Sequence, residues 1–148
     1  MRMLLNDLWS EYKATEESLV LLRKQIEQHA GADDTATRLA SVPGVGKPTA
    51  TAITAFAGNG NQFKSGRNLA AWLGLVPREY STGGKQRLLG ISKRGNPYLR
   101  KLLIHGARSC ILHLDRTKDR LGLWINKMEA RGVHRNKVIV ALANKLAV

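Results

Sequence analysis

Apolar positions recur along the first thirty residues at alternating spacings of four and three: Leu5, Leu8, Tyr12, Thr15, Leu19, Leu22, Ile26 and His29. Leu5, Tyr12, Leu19 and Ile26 fall at one core position of a heptad, and Leu8, Thr15, Leu22 and His29 at the other. No Gly or Pro interrupts the run before Gly31. The pattern predicts one long helix over residues 1–30 whose seam pairs, as a coiled coil, with a partner helix or a second copy of the chain. The same stripe also fits an amphipathic helix folded onto its own domain, and Tyr12, Thr15 and His29 are imperfect seam residues.

Residues 31–148 read as a separate helical domain. Asp33 or Asp34 is placed to cap a short helix through Val42, which Pro43 stops. Gly44 and Gly46 bracket a tight turn, and Pro48 sits in the first turn of the next helix, where its missing N–H costs nothing. A helix, the turn "PGVG" and a second helix make a candidate helix-hairpin-helix motif. In that motif the amides of Gly44, Val45 and Gly46 face a phosphate at a helix N-terminus, with Lys47 adding charge and Thr49 a hydroxyl. Such contact is indifferent to base sequence, and a purely structural corner fits the same residues. "GKPT" is not a Walker A loop, because that pattern needs Gly where Ser41 stands and Ser or Thr where Pro48 follows the lysine.

Farther on, Ser65 is placed to cap the helix "GRNLAAWLG" and Asn96 to cap one that opens on Pro97. The latter shows apolar positions at Leu99, Leu102, Leu103, Ala107, Cys110 and Ile111, the helical period, with Gly106 marking a close approach. Arg116–Ala130 predicts another amphipathic helix built on Leu121, Leu123, Trp124 and Met128. A last one starts near His134 and reaches Val148 with its apolar pattern still running. Between these helices, Gly83, Gly84 and Gly90 suit a loop or a short irregular β-hairpin. The fold class expected is therefore all-α, with one long N-terminal helix, a helix-hairpin-helix and a basic loop or hairpin.

Charge sharpens this picture. The 148 residues carry 24 Lys or Arg and 11 Asp or Glu, a net +13. Residues 1–30 hold four bases and five acids, residues 31–60 two of each, and residues 61–148 eighteen bases and four acids. The excess lies wholly in the last part, which is the electrostatic footprint of a polyanion partner; a highly solvated surface or a small RNA binder has the same composition. Aromatics are only 5%, so the core rests on Leu, Ile, Val and Ala. One cysteine, Cys110, permits no internal disulfide and fits a reducing, intracellular compartment. No apolar run has the length of a membrane span and no signal-peptide pattern opens the chain.

The densest chemistry lies in "PREYSTGGKQRLLGISKRGNPYLRK", Pro77–Lys101, where Arg78, Lys85, Arg87, Lys93, Arg94, Arg100 and Lys101 face one acid, Glu79. Ser81 and Thr82 stand next to Gly83-Gly84 in the middle of that charge. A serine there is a turn residue on one reading and a nucleophile toward a charge-stabilised phosphate on the other. The four acids of the basic part, Glu79, Asp115, Asp119 and Glu129, have no spacing that suggests a two-metal site, and the four histidines show no metal-ligand spacing with cysteine. No metal site is expected in this chain.

Taken together, "LASVPGVGKPTATAI", "NLAAWLGLVPREYSTGGKQRLLGISKRGNPYLRKLLIHGAR" and "NKVIVALANKLA" resemble the C-terminal transposase domain of the DEDD-type insertion-sequence transposases, the "IS one-ten" family, and within it the "IS eleven-eleven" branch. The match runs in order over residues 38–148, and the heptad helix resembles the coiled coil that precedes that domain. The resemblance implies a DNA recombinase with a RuvC-like domain bearing four acidic ligands for Mg²⁺, a structured bridge RNA as guide, and a serine that attacks a DNA phosphate to form a covalent phosphoserine. The family motif maps onto Pro77, Ser81, Thr82, Gly83, Gly84 and Lys85, which makes Ser81 the implied nucleophile and Thr82 the second candidate. Arg78, Lys85, Arg87, Lys93, Arg94 and Arg100 become implied DNA contacts. It also implies that this chain is a piece of a longer protein, inactive in recombination without the metal-bearing domain, that it self-associates through its N-terminal helix, and that it works in the bacterial cytoplasm on the nucleoid.

Overall fold

In the computed structural model, which describes residues 2–148, the heptad pattern forms a single uninterrupted helix, α1 (Arg2–Ala32). Its apolar positions lie in solvent: Leu5, Leu8, Tyr12, Leu19 and Leu22 are all exposed, and Ala30 is its one buried residue. The helix therefore does not fold back on its own domain. It meets the rest only at its C-terminal end, where Thr37 Oγ1 donates to Ala30 O at 3.0 Å.

The chain then turns at once into α2 (Asp34–Ala40), capped by Asp33, whose carboxylate accepts from Thr35 N at 2.8 Å. The helix ends two residues before the Val42 expected, because Ser41 and Val42 close tighter turns onto Arg38 O and Leu39 O. After the PGVG turn comes α3 (Lys47–Ala57), then α4 (Gly66–Trp72). Ser65 stands at the N-cap of α4 but makes no capping bond to its amides. A two-stranded antiparallel hairpin follows, β1 (Pro77–Glu79) and β2 (Leu88–Ile91). Three helices complete the chain: α5 (Pro97–His113), α6 (Arg120–Ala130) and α7 (Arg135–Ala147). Asn96 caps α5 through bonds from both Tyr98 N and Leu99 N. α6 begins at Arg120, four residues later than the pattern suggested, because Asp119 caps it. Its buried residues are Gly122 and Ile125, while Leu123 faces solvent. The architecture is all-α apart from the hairpin.

The core forms around α5. Leu99, Leu103, Ala107, Cys110 and Ile111 are buried along its length, as the apolar period predicts, and they pack with Val138, Ile139, Leu142 and Ala143 of α7 and Leu73 and Leu75 after α4. Two backbone crossings attach the loops to this core. At the first, Gly44 of the PGVG turn (φ +83°) lies on Gly106 of α5 so closely that a Cβ on Gly106 would collide with the Gly44 carbonyl. At the second, Gly74 (φ +70°) meets Arg94 and Gly95 (φ +80°) meets Trp72, again backbone on backbone. Arg100 closes this second crossing, with Nη1 donating to Leu73 O and to Arg94 O, each at 3.0 Å. At the far end of α5, Arg116 binds Ile111 O at 2.9 Å and Glu129 at 2.6 Å, which fixes α6.

Among the described residues no helix is long and apolar enough to cross a membrane.

Two outcomes follow from the packing. In an open helix interior, Gly→Ala stabilises by about 1 kcal/mol; at Gly106 the sign should reverse, with Gly106→Ala costing about 1–3 kcal/mol through overpacking, measured by urea unfolding. Burial pushes the Cys110 thiol above its ordinary range, with the Asp119 carboxylate adding to it. Native Cys110 should therefore alkylate at least about tenfold more slowly than in urea. Folding favours the neutral thiol, so this contribution to stability is complete below the ordinary thiol range and is lost as pH rises through the raised value.

Candidate nucleic-acid interface

The basic segment becomes an exposed hairpin with almost no core of its own. Every residue from Pro77 to Gly90 is exposed, so hydrogen bonds rather than burial hold its shape. Pro77 pairs with Ile91 and Glu79 with Leu88, with a bulge between them. The pairing continues outward as Tyr80 N donates to Arg87 O at 2.9 Å, and ends in a turn where Lys85 N donates to Thr82 O at 3.1 Å. Gly83 (φ +57°) and Gly84 (φ +76°) supply the two left-handed residues of a type I′ turn, the connection whose twist suits two adjacent strands. Inward, Ser92 N donates to Val76 O and Lys93 N to Gly74 O, which joins the hairpin root to the second glycine crossing.

This frame holds Ser81 in one orientation. Its hydroxyl donates to Glu79 Oε1 at 2.5 Å and accepts from Arg87 N at 3.2 Å. Thr82 is also exposed, but among the described residues its hydroxyl makes no hydrogen bond. Arg78, Lys85 and Arg87 lie on the hairpin, and Lys93 and Arg94 at its root, all exposed. Arg100 differs: it is half-buried and its guanidinium is engaged in the crossing below. Among the described residues only Arg116 and Lys118 form ion pairs, so the hairpin cations keep their full charge toward solvent.

A groove of about 880 Å³ runs between the hairpin and α7. Arg78 and Lys93 line one wall, Asn136 and Lys137 the other. Sequence reasoning missed Asn136 and Lys137 because their place opposite the hairpin depends on how α7 packs on α5. It also missed the Glu79–Ser81 contact, although two-residue spacing in an extended strand puts both side chains on one face.

The PGVG turn lies elsewhere. Gly44 packs on Gly106, roughly 13 Å along α5 from its start at Pro97. Of the residues expected to face phosphate, Gly46 and Lys47 are exposed, whereas Val45 and Thr49 are buried, at 5% and 7% exposure. A second open groove, lined by Gly46, Thr49, His105 and Ser109, begins at the N-terminus of α3. The fold therefore presents two separated candidate phosphate-binding surfaces.

Among the described residues no three His, Cys, Asp or Glu side chains gather. The acids of the basic part are already engaged: Glu79 with Ser81, Asp115 with Thr117, Asp119 at the cap of α6 and Glu129 with Arg116. The Thr117 bonds hold the Asp115 carboxyl below its ordinary range.

Known proteins carry the same segment. Residues 36–121 match the model of the IS116/IS110/IS902 family of transposases. The chain is 46% identical, over 97% of its length, to the "Probable family 20 transposase" of Pseudomonas aeruginosa. It is 43% identical, over 99% of its length, to the transposase for insertion sequence element IS1111A of Coxiella burnetii. It is 32% identical, over 75% of its length, to the pilin gene-inverting protein of Moraxella lacunata. It spans only 42%, 40% and 34% of these relatives. The extent of these matches, across the hairpin and the glycine crossings alike, establishes that the chain belongs to the IS116/IS110/IS902 transposase family.

Proposed function

We propose that this chain is the DNA-binding, nucleophile-bearing part of an insertion-sequence recombinase, with Ser81 attacking a DNA phosphate. One observation carries the reading: Ser81 stands on an exposed hairpin, its hydroxyl held by two hydrogen bonds, among cations that form no ion pair with any acid of the described residues. Positive charge around a phosphate under attack stabilises the extra charge of the transition state. The type I′ turn keeps the tip narrow, so a DNA backbone can reach the serine without clashing with side chains at Gly83 and Gly84.

In this reading Arg78, Lys85, Arg87, Lys93 and Arg94 hold the phosphates on either side of the attacked one, and Lys137 continues the track across the groove. In this reading Mg²⁺ belongs to a RuvC-like domain outside this segment. The exposed apolar stripe of α1 serves association with a second copy, and the basic surface also accommodates a bridge RNA. The N-terminus of α3 supports a second reading, a non-catalytic binding module, because exposed Gly46 and Lys47 open onto a groove there.

The deciding experiment joins this chain to the remaining part of a full-length relative, adds the element's RNA and end-labelled DNA, and looks for an SDS-stable protein–DNA adduct. Ser81→Ala should abolish the adduct and leave DNA affinity within about twofold. Retention of the adduct in Ser81→Ala would transfer the role to Thr82 or another group. Absence of any adduct, with binding intact in both proteins, would favour the binding module. Binding itself should weaken steeply with salt, and Lys85→Ala with Arg87→Ala should reduce the slope of log K against log salt by about 2.

A further inference from the structure

We propose that Glu79 is the proton acceptor for Ser81. The inference rests on the reading of Ser81 as the nucleophile and names the group that activates it. A serine hydroxyl has one proton and two lone pairs. Here the proton points to Glu79 Oε1 at 2.5 Å, and one lone pair accepts from Arg87 N at 3.2 Å. The second lone pair is left for an electrophile, on a side chain open to solvent. A contact this short is typical of a hydroxyl donating to an ionised carboxylate.

The placement of the acid is itself informative. Glu79 is the only acid between residues 61 and 114, on a hairpin whose other charged residues are all Lys or Arg. A carboxylate there repels the phosphates that the cations attract. Yet among the described residues it forms no ion pair with any of its basic neighbours, and its side chain accepts instead from Ser81. The hairpin register explains how this arises. Glu79 and Ser81 are two residues apart on one extended arm of the hairpin and so share a face, while Arg87 on the other arm clamps the serine from the backbone.

The step balances as follows. The Oγ–H proton passes to Glu79 as the Oγ–P bond forms. The bond from phosphorus to the leaving sugar oxygen breaks, and that oxygen takes a proton from water. When a strand hydroxyl later attacks the phosphoserine, its proton passes to water, the Oγ–P bond breaks, and the protonated Glu79 returns its proton to Oγ. General base assistance of this kind contributes about 10²–10⁴-fold. The charged or titratable groups beside the pair on the hairpin are Arg78, Tyr80, Lys85 and Arg87; Lys93 and Lys137 line the groove toward α7, which neither Glu79 nor Ser81 lines.

Glu79→Gln tests this, since the amide still accepts the Ser81 hydrogen bond but takes no proton. In the same joined, RNA-loaded protein, Glu79→Gln should slow adduct formation at least about 100-fold with no loss of DNA affinity. The acid limb of the wild-type pH–rate profile should vanish in this variant, and Glu79→Asp should restore part of the rate. If Ser81→Ala forms no adduct but Glu79→Gln reacts at the wild-type rate, the proposal fails and the nucleophile stands. If Glu79→Gln is slow only in proportion to weakened DNA binding, Glu79 merely shapes the hairpin and the proposal fails. If Ser81→Ala still forms the adduct, the underlying reading of Ser81 fails and this inference with it.

Discussion

The arrangement depends on how closely bare backbone can approach α5 and the residues that lead into it. Gly106 admits the PGVG turn through Gly44, while Gly74 and Gly95 let the chain cross itself just before the helix begins. A side chain at Gly106, Gly74 or Gly95 would run into a carbonyl. Because cores are close-packed and adjust poorly, these crossings set where each loop leaves the core. The candidate phosphate-binding surface at the PGVG turn and the one at the hairpin are thus spaced along a single helix.

The hairpin shows the complementary situation. It buries almost nothing, so its geometry comes from a short ladder, a glycine turn and the tie at its root. Exposure is what the proposed chemistry requires, since in that reading a DNA backbone reaches both the cations and the serine. The tie is rigid where the tip is open. Arg100 binds two carbonyls at the crossing, and Lys93 adopts a left-handed conformation (φ +57°) that is unusual for a residue with a Cβ. An element without a core can thereby hold Ser81 and Glu79 in a fixed relation.

The same division explains α1. Its apolar stripe is exposed along most of its length, and the helix packs on α2 and α3, with Ile26 half-buried and Ala30 buried near its C-terminal end. The exposed leucines and Trp9 of α1 are the surface that the proposed association through a heptad seam would cover.

Much of this was legible in the sequence, wherever a local rule governs. The heptad run, the caps at Asp33 and Asn96, the buried stripe of α5 and the turn at Gly83-Gly84 each follow from spacing or from one residue's conformational preference. The charge asymmetry and the serine motif were likewise plain, because neither depends on which parts of the chain meet. Tertiary structure decided what depends on distant contacts. It buried Val45 and Thr49, engaged Arg100 in the crossing, exchanged Leu123 for Ile125 in the core and set Lys137 opposite the hairpin. It also brought the Arg87 amide onto Ser81, since strand register, unlike the helical period, is settled only when two strands and their turn come together.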